Sequence, residues 1–216
     1  MARPARLSRD EIVDAAVRLV EQGGPDALTM KALGAALGAD PSAVYRHVQD
    51  KDELLRAVGD HLLDGVVEGL PGRRSWEATV RTLCLRLRAA LMARPHLADL
   101  ARSAPTRQRH ETRLTEVLLG ALQAGGFPPG HAAAAYHALI ELTVGSATID
   151  GATATLDPAA RRATYTAWRR DYQALPAAEF PHCRDAAVHL YRGDADARFG
   201  FALEAMLRGL VATVPG

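Results

Sequence analysis

Apolar residues recur every three or four positions along most of this chain, and that spacing restricts it to helical folds. One such stripe lies near the start, at Ile12, Ala15, Ala16, Leu19 and Val20. Another follows Ser75, at Trp76, Val80, Leu83, Leu87 and Leu91. No segment shows the apolar and polar alternation of a half-buried strand. The sequence therefore predicts an all-α protein.

Residues that start and stop helices divide the first 50 positions. Ser8 and Glu11 form a capping box, in which each side chain satisfies a backbone N–H of the other. Gly23 and Gly24 end that helix. Thr29 can cap a second, short helix that ends at Gly38.

A third helix is predicted directly after that break. Asp40 is placed to cap it, and Pro41 takes its first position, where a missing N–H costs nothing. Two short helices separated by about three residues have the spacing of a helix-turn-helix, which ordinary helical hairpins also match. A fourth helix is predicted from Asp50 to near Pro71.

The third helix carries an unusual outer surface for a helix of about two turns. With Val44 and Val48 in the core, the 100° step per residue turns Ser42, Ala43 and Arg46 outward, and Tyr45 and His47 flank them. Small residues let a helix enter the major groove, where Arg46 could donate two bonds to guanine and Ala43 could touch a thymine methyl group. Thr29, Tyr45, His47 and Lys51 are placed to bind phosphates.

Each of these residues also has an ordinary structural interpretation. Tyr45 could pack against the fold, and His47 could cap the third helix. Net charge gives no support to DNA binding, because it is only +1. Through Lys51 the chain carries seven basic and seven acidic side chains, so the interpretation depends on which surface each charge occupies.

The stretch "SRDEIVDAAVRLVEQGGPDALTMKALGAALGADPSAVYRHVQDKDELLRAV" resembles the N-terminal domain of the TetR family of bacterial transcriptional regulators. The resemblance covers about Leu7 to Val58. Carried over position by position, it implies that DNA is contacted by Thr29, Lys31, Ser42, Ala43, Tyr45, Arg46, His47 and Lys51. The family often has an apolar or aromatic residue at position 46, so a base contact by Arg46 rests on its chemistry alone. Arg3 and Arg6 could add contacts from an N-terminal arm.

The resemblance also implies an architecture and a mechanism. It implies a three-helix helix-turn-helix DNA-binding domain at 1–50, a connecting helix at 51–72, and a larger helical effector-binding and dimerisation domain at 73–216. The expected function is that of a homodimeric repressor, bound to a near-palindromic double-stranded operator and released by a small-molecule effector. Effector binding is expected to shift the fourth helix.

The remainder of the chain is less specific. The Ala-rich segment from His131 to Gly151 has few charges on any side, so it is either a homodimer seam, together with the last helix, or the central helix of one domain. Polar residues interrupt apolar stripes at Cys84, Arg88, His137, Glu141, Trp168 and Tyr172. These residues either line an effector pocket or are ordinary core and interface side chains.

Other classes of protein find little support. His182, Cys183 and His189 lack the spacing of a metal site, and no cofactor fingerprint or catalytic residue set is visible. No stretch reaches the roughly 18 apolar residues of a membrane span, and no secretory signal is seen, so we expect a cytoplasmic protein. The two cysteines, Cys84 and Cys183, are far apart in the chain, and we expect both to be reduced. The remaining alternatives are a helical small-molecule carrier or enzyme, and a protein-interaction module.

Overall fold

Helices form nearly all the regular structure in the computed structural model, which describes residues 7–70, 75–103, 105–154, 156–190 and 195–213. No strand occurs in these ranges, and the all-α prediction is confirmed. The helices are α1 (Arg9–Gly23), α2 (Met30–Leu37), α3 (Pro41–Val44), α4 (Lys51–His61), α5 (Trp76–Ala93), α6 (Pro95–Ser103), α7 (Arg109–Ala124), α8 (Pro129–Ala154), α9 (Pro158–Ala174), α10 (Pro181–Ala186) and α11 (Ala195–Val211).

The predicted caps start the first helices. In the capping box of α1, the backbone N–H of Glu11 donates to Ser8 Oγ at 3.2 Å, and the backbone N–H of Ser8 donates to Glu11 Oε2 at 2.8 Å. Asp50 caps α4 by accepting from the backbone N–H of Glu53 at 2.6 Å. These bonds satisfy amides that no helical carbonyl reaches, so the local sequence sets where the helices begin.

Helices α1, α2, α3 and α4 pack around one apolar cluster. Its fully buried side chains are Ile12, Ala15, Ala16, Val20, Leu33, Val44, Leu54 and Val58. Burying a Val, Leu or Ile side chain is worth about 1.5–3 kcal/mol, so these contacts are the main source of stability for this part of the chain.

Two helices are shorter than predicted. Helix α3 has a single turn and passes at Tyr45 into a turn, although two turns were expected. The connecting helix, expected over 51–72, ends at His61 and is followed by turns, within which Gly65 has a φ of 76°. Bonds three residues apart, from Leu62 to Gly59 and from Leu63 to Asp60, replace the α-helical pattern at the end of α4. The left-handed Gly65 then keeps the helix from resuming.

The chain divides into two compact units, and the boundary lies inside α8, between Val144 and Gly145. In the first unit, α5 and α7 pack together, and the ring of Trp76 meets Phe127 edge to face at 5.1 Å. In the second unit, Arg198 of α11 donates to Asp150 of α8 at 2.8 Å and lies 5.6 Å from the centre of the Tyr165 ring of α9. The predicted loose stretch between Pro176 and Asp196 contains the six-residue helix α10 within its described part.

Candidate nucleic-acid interface

The turn between α2 and α3 is fixed by backbone geometry at both ends. Thr29 caps α2, with its Oγ1 accepting from the backbone N–H of Ala32 at 3.1 Å. Gly38 ends that helix in the left-handed conformation. The backbone N–H of Ser42 then donates to Asp40 Oδ1 at 2.8 Å, which caps α3 as predicted. The two helices therefore meet at a short turn with a defined angle.

Gly34 lets the two helices approach closely. A Cβ at this position would lie 2.8 Å from the carbonyl oxygen of Ala39 and 3.2 Å from the Pro41 ring. Real Cβ atoms do not come that close to backbone, so a side chain here would force the turn apart. The role of Gly34 could not be predicted from the sequence, because a glycine inside a helix does not indicate which residues pack against it.

The segment from Ser42 to Val48, which begins in α3 and continues through the turn after it, presents the surface that the periodicity predicts. Val44 and Val48 are buried, at 0% and 2% exposure. Ser42 and Arg46 are exposed, Tyr45 is 51% exposed, and Ala43 and His47 are half-buried. Thr29, Lys31 and Lys51 are exposed as well. All eight residues expected to contact DNA therefore reach the surface to some degree.

The acidic residues nearest to this surface are occupied as caps. Between Thr29 and Lys51 the chain has two carboxylates, Asp40 and Asp50, and each accepts a backbone N–H at the start of a helix. Hydrogen bonds from the side chain and backbone of Ser42 lower the pKa of Asp40, and the charge of Arg46 adds to this effect. The same stretch carries three cations, Lys31, Arg46 and Lys51, so its net charge is +1, and its two carboxylates are engaged as caps while its cations are exposed.

A further set of bonds holds the start of α4 beside α1. Glu53 accepts from the backbone N–H of Gln49 at 2.6 Å and from Arg9 Nη2 at 2.9 Å. Both bonds lower the pKa of Glu53, and the bond from Gln49 has the larger effect. They fix the first turn of α4, from which Lys51 projects next to amide groups that favour an anion.

The polar residues that interrupt apolar stripes outside this region differ in burial. Cys84 and Arg88 are buried in α5, whereas His137 and Glu141 of α8 are exposed. Burial raises the pKa of the Cys84 thiol to about 11, and a hydrogen bond with Thr143 opposes that effect. In the second unit, Trp168 is 39% exposed and Tyr172 is half-buried.

The described residues contain no group of three His, Cys, Asp or Glu side chains that could hold a metal ion. Within the same ranges, no helix is both long enough and apolar enough to cross a bilayer. Arg3 and Arg6, the expected arm residues, lie outside the described residues.

Comparison with known proteins gives matches along nearly the whole chain. Residues 12–58 match the family model "Bacterial regulatory proteins, tetR family", and residues 68–214 match "Tetracyclin repressor-like, C-terminal domain". An HTH-type transcriptional regulator of Saccharopolyspora erythraea is 29% identical over 211 residues, which is 96% of this chain and 86% of that protein. The tetracycline repressor protein class D of Escherichia coli is 28% identical over 95% of this chain and 89% of its own length.

A solved structure extends the similarity to three dimensions. The Streptomyces coelicolor TetR family protein ActR, in complex with actinorhodin, superimposes with a TM-score of 0.86 at 27% identity, covering 98% of this chain and all of ActR. The arrangement of α2 and α3, the two family models and this match agree with one another. The chain belongs to the TetR family of bacterial transcriptional regulators.

Proposed function

We propose that this protein is a homodimeric repressor that binds a near-palindromic operator and leaves it when a small molecule binds. The observation that carries the proposal is the exposed surface of α3 and the turn that follows it, above a buried Val44 and Val48. Members of the TetR family are DNA-binding regulators and not enzymes, so this surface is the natural candidate for the DNA contact.

The contacts divide into two classes with different consequences. Arg46 and Ala43 face the base edges, where a guanidinium can donate two bonds to guanine O6 and N7. Phosphates are contacted by Thr29, Tyr45, His47 and Lys51. The two remaining contact residues are Lys31, near the start of α2, and Ser42, near the start of α3. Phosphate contacts set affinity and orientation, whereas base contacts set the sequence that is read.

The C-terminal part supplies the dimer contact and the effector site. We assign residues 1–50 to DNA binding, 51–72 to the connection and 73–216 to dimerisation and effector binding. Ile149 of α8 and Phe201 of α11 are 75% and 80% exposed, which favours a second copy of the chain as the cover for these helices. The dimer then brings two α3 surfaces to successive major grooves, about 34 Å or a multiple apart.

The effector is a small molecule of unknown identity. ActR holds actinorhodin in its solved complex, and the tetracycline repressors are named for tetracycline, so these two compounds are the first to test. To release the operator, the effector must prefer the non-binding geometry of the dimer. A hundredfold preference corresponds to about 2.7 kcal/mol of coupling. The protein acts in the cytoplasm, where both DNA and effector are available.

The proposal is tested by selecting bound sequences from a pool of random duplexes at low salt. We expect a palindrome with half-sites about one helical turn or a multiple apart, and two chains per recovered duplex. Failure to retain any duplex would contradict the proposal. Turnover or tight binding of a small molecule without duplex binding would favour a helical carrier or enzyme instead.

A further inference from the structure

A buried carboxylate near the end of α4 accepts hydrogen bonds from the start of α7. The side chain of Asp60 is 6% exposed. Its Oδ1 accepts from the backbone N–H of Glu111 at 2.9 Å and lies 2.9 Å from Thr106 Oγ1. Its Oδ2 accepts from the backbone N–H of His110 at 3.0 Å and lies 2.9 Å from Nδ1 of the same residue. Each oxygen of this carboxylate therefore accepts one backbone N–H of α7, and the Thr106 hydroxyl and the His110 ring lie within hydrogen-bonding distance.

These bonds replace a cap that α7 lacks in its own sequence. Gln108 occupies the N-cap position of α7 and makes no side-chain bond to the helix. The exposed amides of the first turn are satisfied instead by a residue about fifty positions earlier. Thr106 and Glu111 complete the group, because Thr106 Oγ1 also lies 2.7 Å from Glu111 Oε2.

Helix α4 is thereby held at both ends. Its first turn is tied to α1 through Arg9 and Glu53, and its last turn is tied to α7 through Asp60. Arg86 of α5 secures the turns that follow, donating to the carbonyl oxygens of Val66 at 3.2 Å and Glu68 at 2.6 Å. Separating α4 from α7 would leave a buried charge without partners, which is costly.

We propose that Asp60 is the positioning residue that makes α4 and the start of α7 move as one body. When DNA holds α2 and α3 in place, this connection reduces the opening of the first turn of α7. This inference rests on the proposed function and adds its connecting element. When an operator fixes α2 and α3, the bonds through Glu53 and Asp60 resist opening of the first turn of α7. The reciprocal effect, from α7 to the DNA-binding helices, follows from linkage.

The test uses amide hydrogen exchange of the full-length protein, with and without a duplex recovered by the random selection. In the wild-type protein, we expect the duplex to slow exchange in α2 and α3 and also at the amides of His110 and Glu111. Asp60→Asn replaces an acceptor oxygen with an N–H₂ group that faces other donors. Without duplex, this variant should exchange about tenfold faster at those two amides, the result of losing charged hydrogen bonds.

The decisive comparison is the effect of duplex on the variant. Asp60→Asn should keep the slowing in α2 and α3 and lose it in α7. Asp64→Asn is the matched control, since it removes the same charge one turn later, where the carboxylate is half exposed and lies 3.7 Å from His110 Nε2. It should behave as the wild-type protein does. If Asp60→Asn does not fold cooperatively, Thr106→Val removes one of the four partners and should reduce the slowing in part.

Three outcomes would overturn the inference. Slowing at α7 that is as large in Asp60→Asn as in the wild-type protein would show that Asp60 transmits nothing. Slowing confined to α2 and α3 in the wild-type protein would leave the proposed function standing and remove this inference alone. Absence of slowing in α2 and α3 with every duplex would contradict the proposed function, and the inference with it.

Discussion

The three helices at the N-terminus and the unit from Gly145 to Thr213 differ in how far each buries its own apolar side chains. In α1, α2 and α3, the residues that point inward are almost completely covered. Seven of the nine large apolar or aromatic side chains that are exposed in the described residues belong to the second unit, among them Ile149, Trp168 and Phe201. No residue of α9 or α10 is buried.

This difference shows which parts of the chain are complete by themselves. The N-terminal helices have their own core and caps, so their outer surface does not need a second copy of the chain to cover it and is available for the proposed DNA contact. The second unit carries most of the large apolar side chains that are exposed in the described residues, and such exposure is typical of surfaces that contact another protein when the side chains lie together. A second copy of the chain would cover them, which is why we place the dimer contact there and the DNA contact at α3.

The largest effect is expected from Leu33→Ala in the N-terminal core. Leu33 is fully buried, so its truncation removes apolar contacts and leaves a cavity. We expect the free energy of unfolding to fall by about 2–5 kcal/mol in urea titrations. A loss below about 0.5 kcal/mol, the range of a surface substitution, would contradict the claim that this region has a core of its own.

Phe201→Asp should have the next largest effect. This effect is on the association of two chains and not on folding. A charge within the proposed dimer contact should weaken the dimer by at least about 2 kcal/mol, or roughly thirtyfold in its dissociation constant. Sedimentation over a range of protein concentrations measures this change. Leu85→Asp is the matched control, because Leu85 is 45% exposed but lies in the first unit. Equal weakening by both variants would break the comparison between the two units.

Glu53→Gln should cost about 1 kcal/mol at neutral pH, because the charged acceptor of the Gln49 and Arg9 bonds is lost. The folded-state pKa of Glu53 is lowered, so its contribution is present above the ordinary glutamate pKa and is lost as pH falls through the lowered value. The stability difference between Glu53→Gln and the wild-type protein should therefore shrink when urea titrations are repeated at progressively more acidic pH. A difference that is constant with pH would mean that the charge of Glu53 does not stabilise the fold.

Lys51→Ala should have the smallest effect, confined to electrostatics. One phosphate contact is lost per protomer, so the slope of log K against log salt should fall by about 1 per protomer. Operator and random duplexes should weaken alike. A loss restricted to the operator would show that Lys51 reads bases and does not simply bind the backbone.

Much of the N-terminal structure could be predicted because its signals are local. The caps at Ser8, Thr29, Asp40 and Asp50 each act within three residues, and the positions of Val44 and Val48 follow from helical geometry. Helical geometry also predicts that Ser42 and Arg46 face away from the core, whereas the exposure of Tyr45 had to be seen in the structure.

The features that could not be predicted depend on distant contacts or on backbone conformation. Asp60 looks like an ordinary polar residue of α4 until α7 is placed against it, about fifty residues along the chain. Gly34 gains its meaning from the approach of Ala39 and Pro41. The helical spacing of apolar residues continues through Leu62 and Val66, so it predicts a longer α4. The turns that follow His61 could not be predicted from that spacing.

The most direct test of the central claim is to repeat the random-duplex selection with Arg46→Ala, using Arg18→Ala, an exposed arginine of α1, as the control. We predict that Arg46→Ala recovers the same half-site spacing but loses preference at one position in each half-site, at a cost of about 1–3 kcal/mol on the wild-type operator. Arg18→Ala should recover the wild-type motif. An unchanged motif with Arg46→Ala, or equal losses of affinity on operator and random DNA, would contradict base recognition by Arg46, in the turn that follows α3.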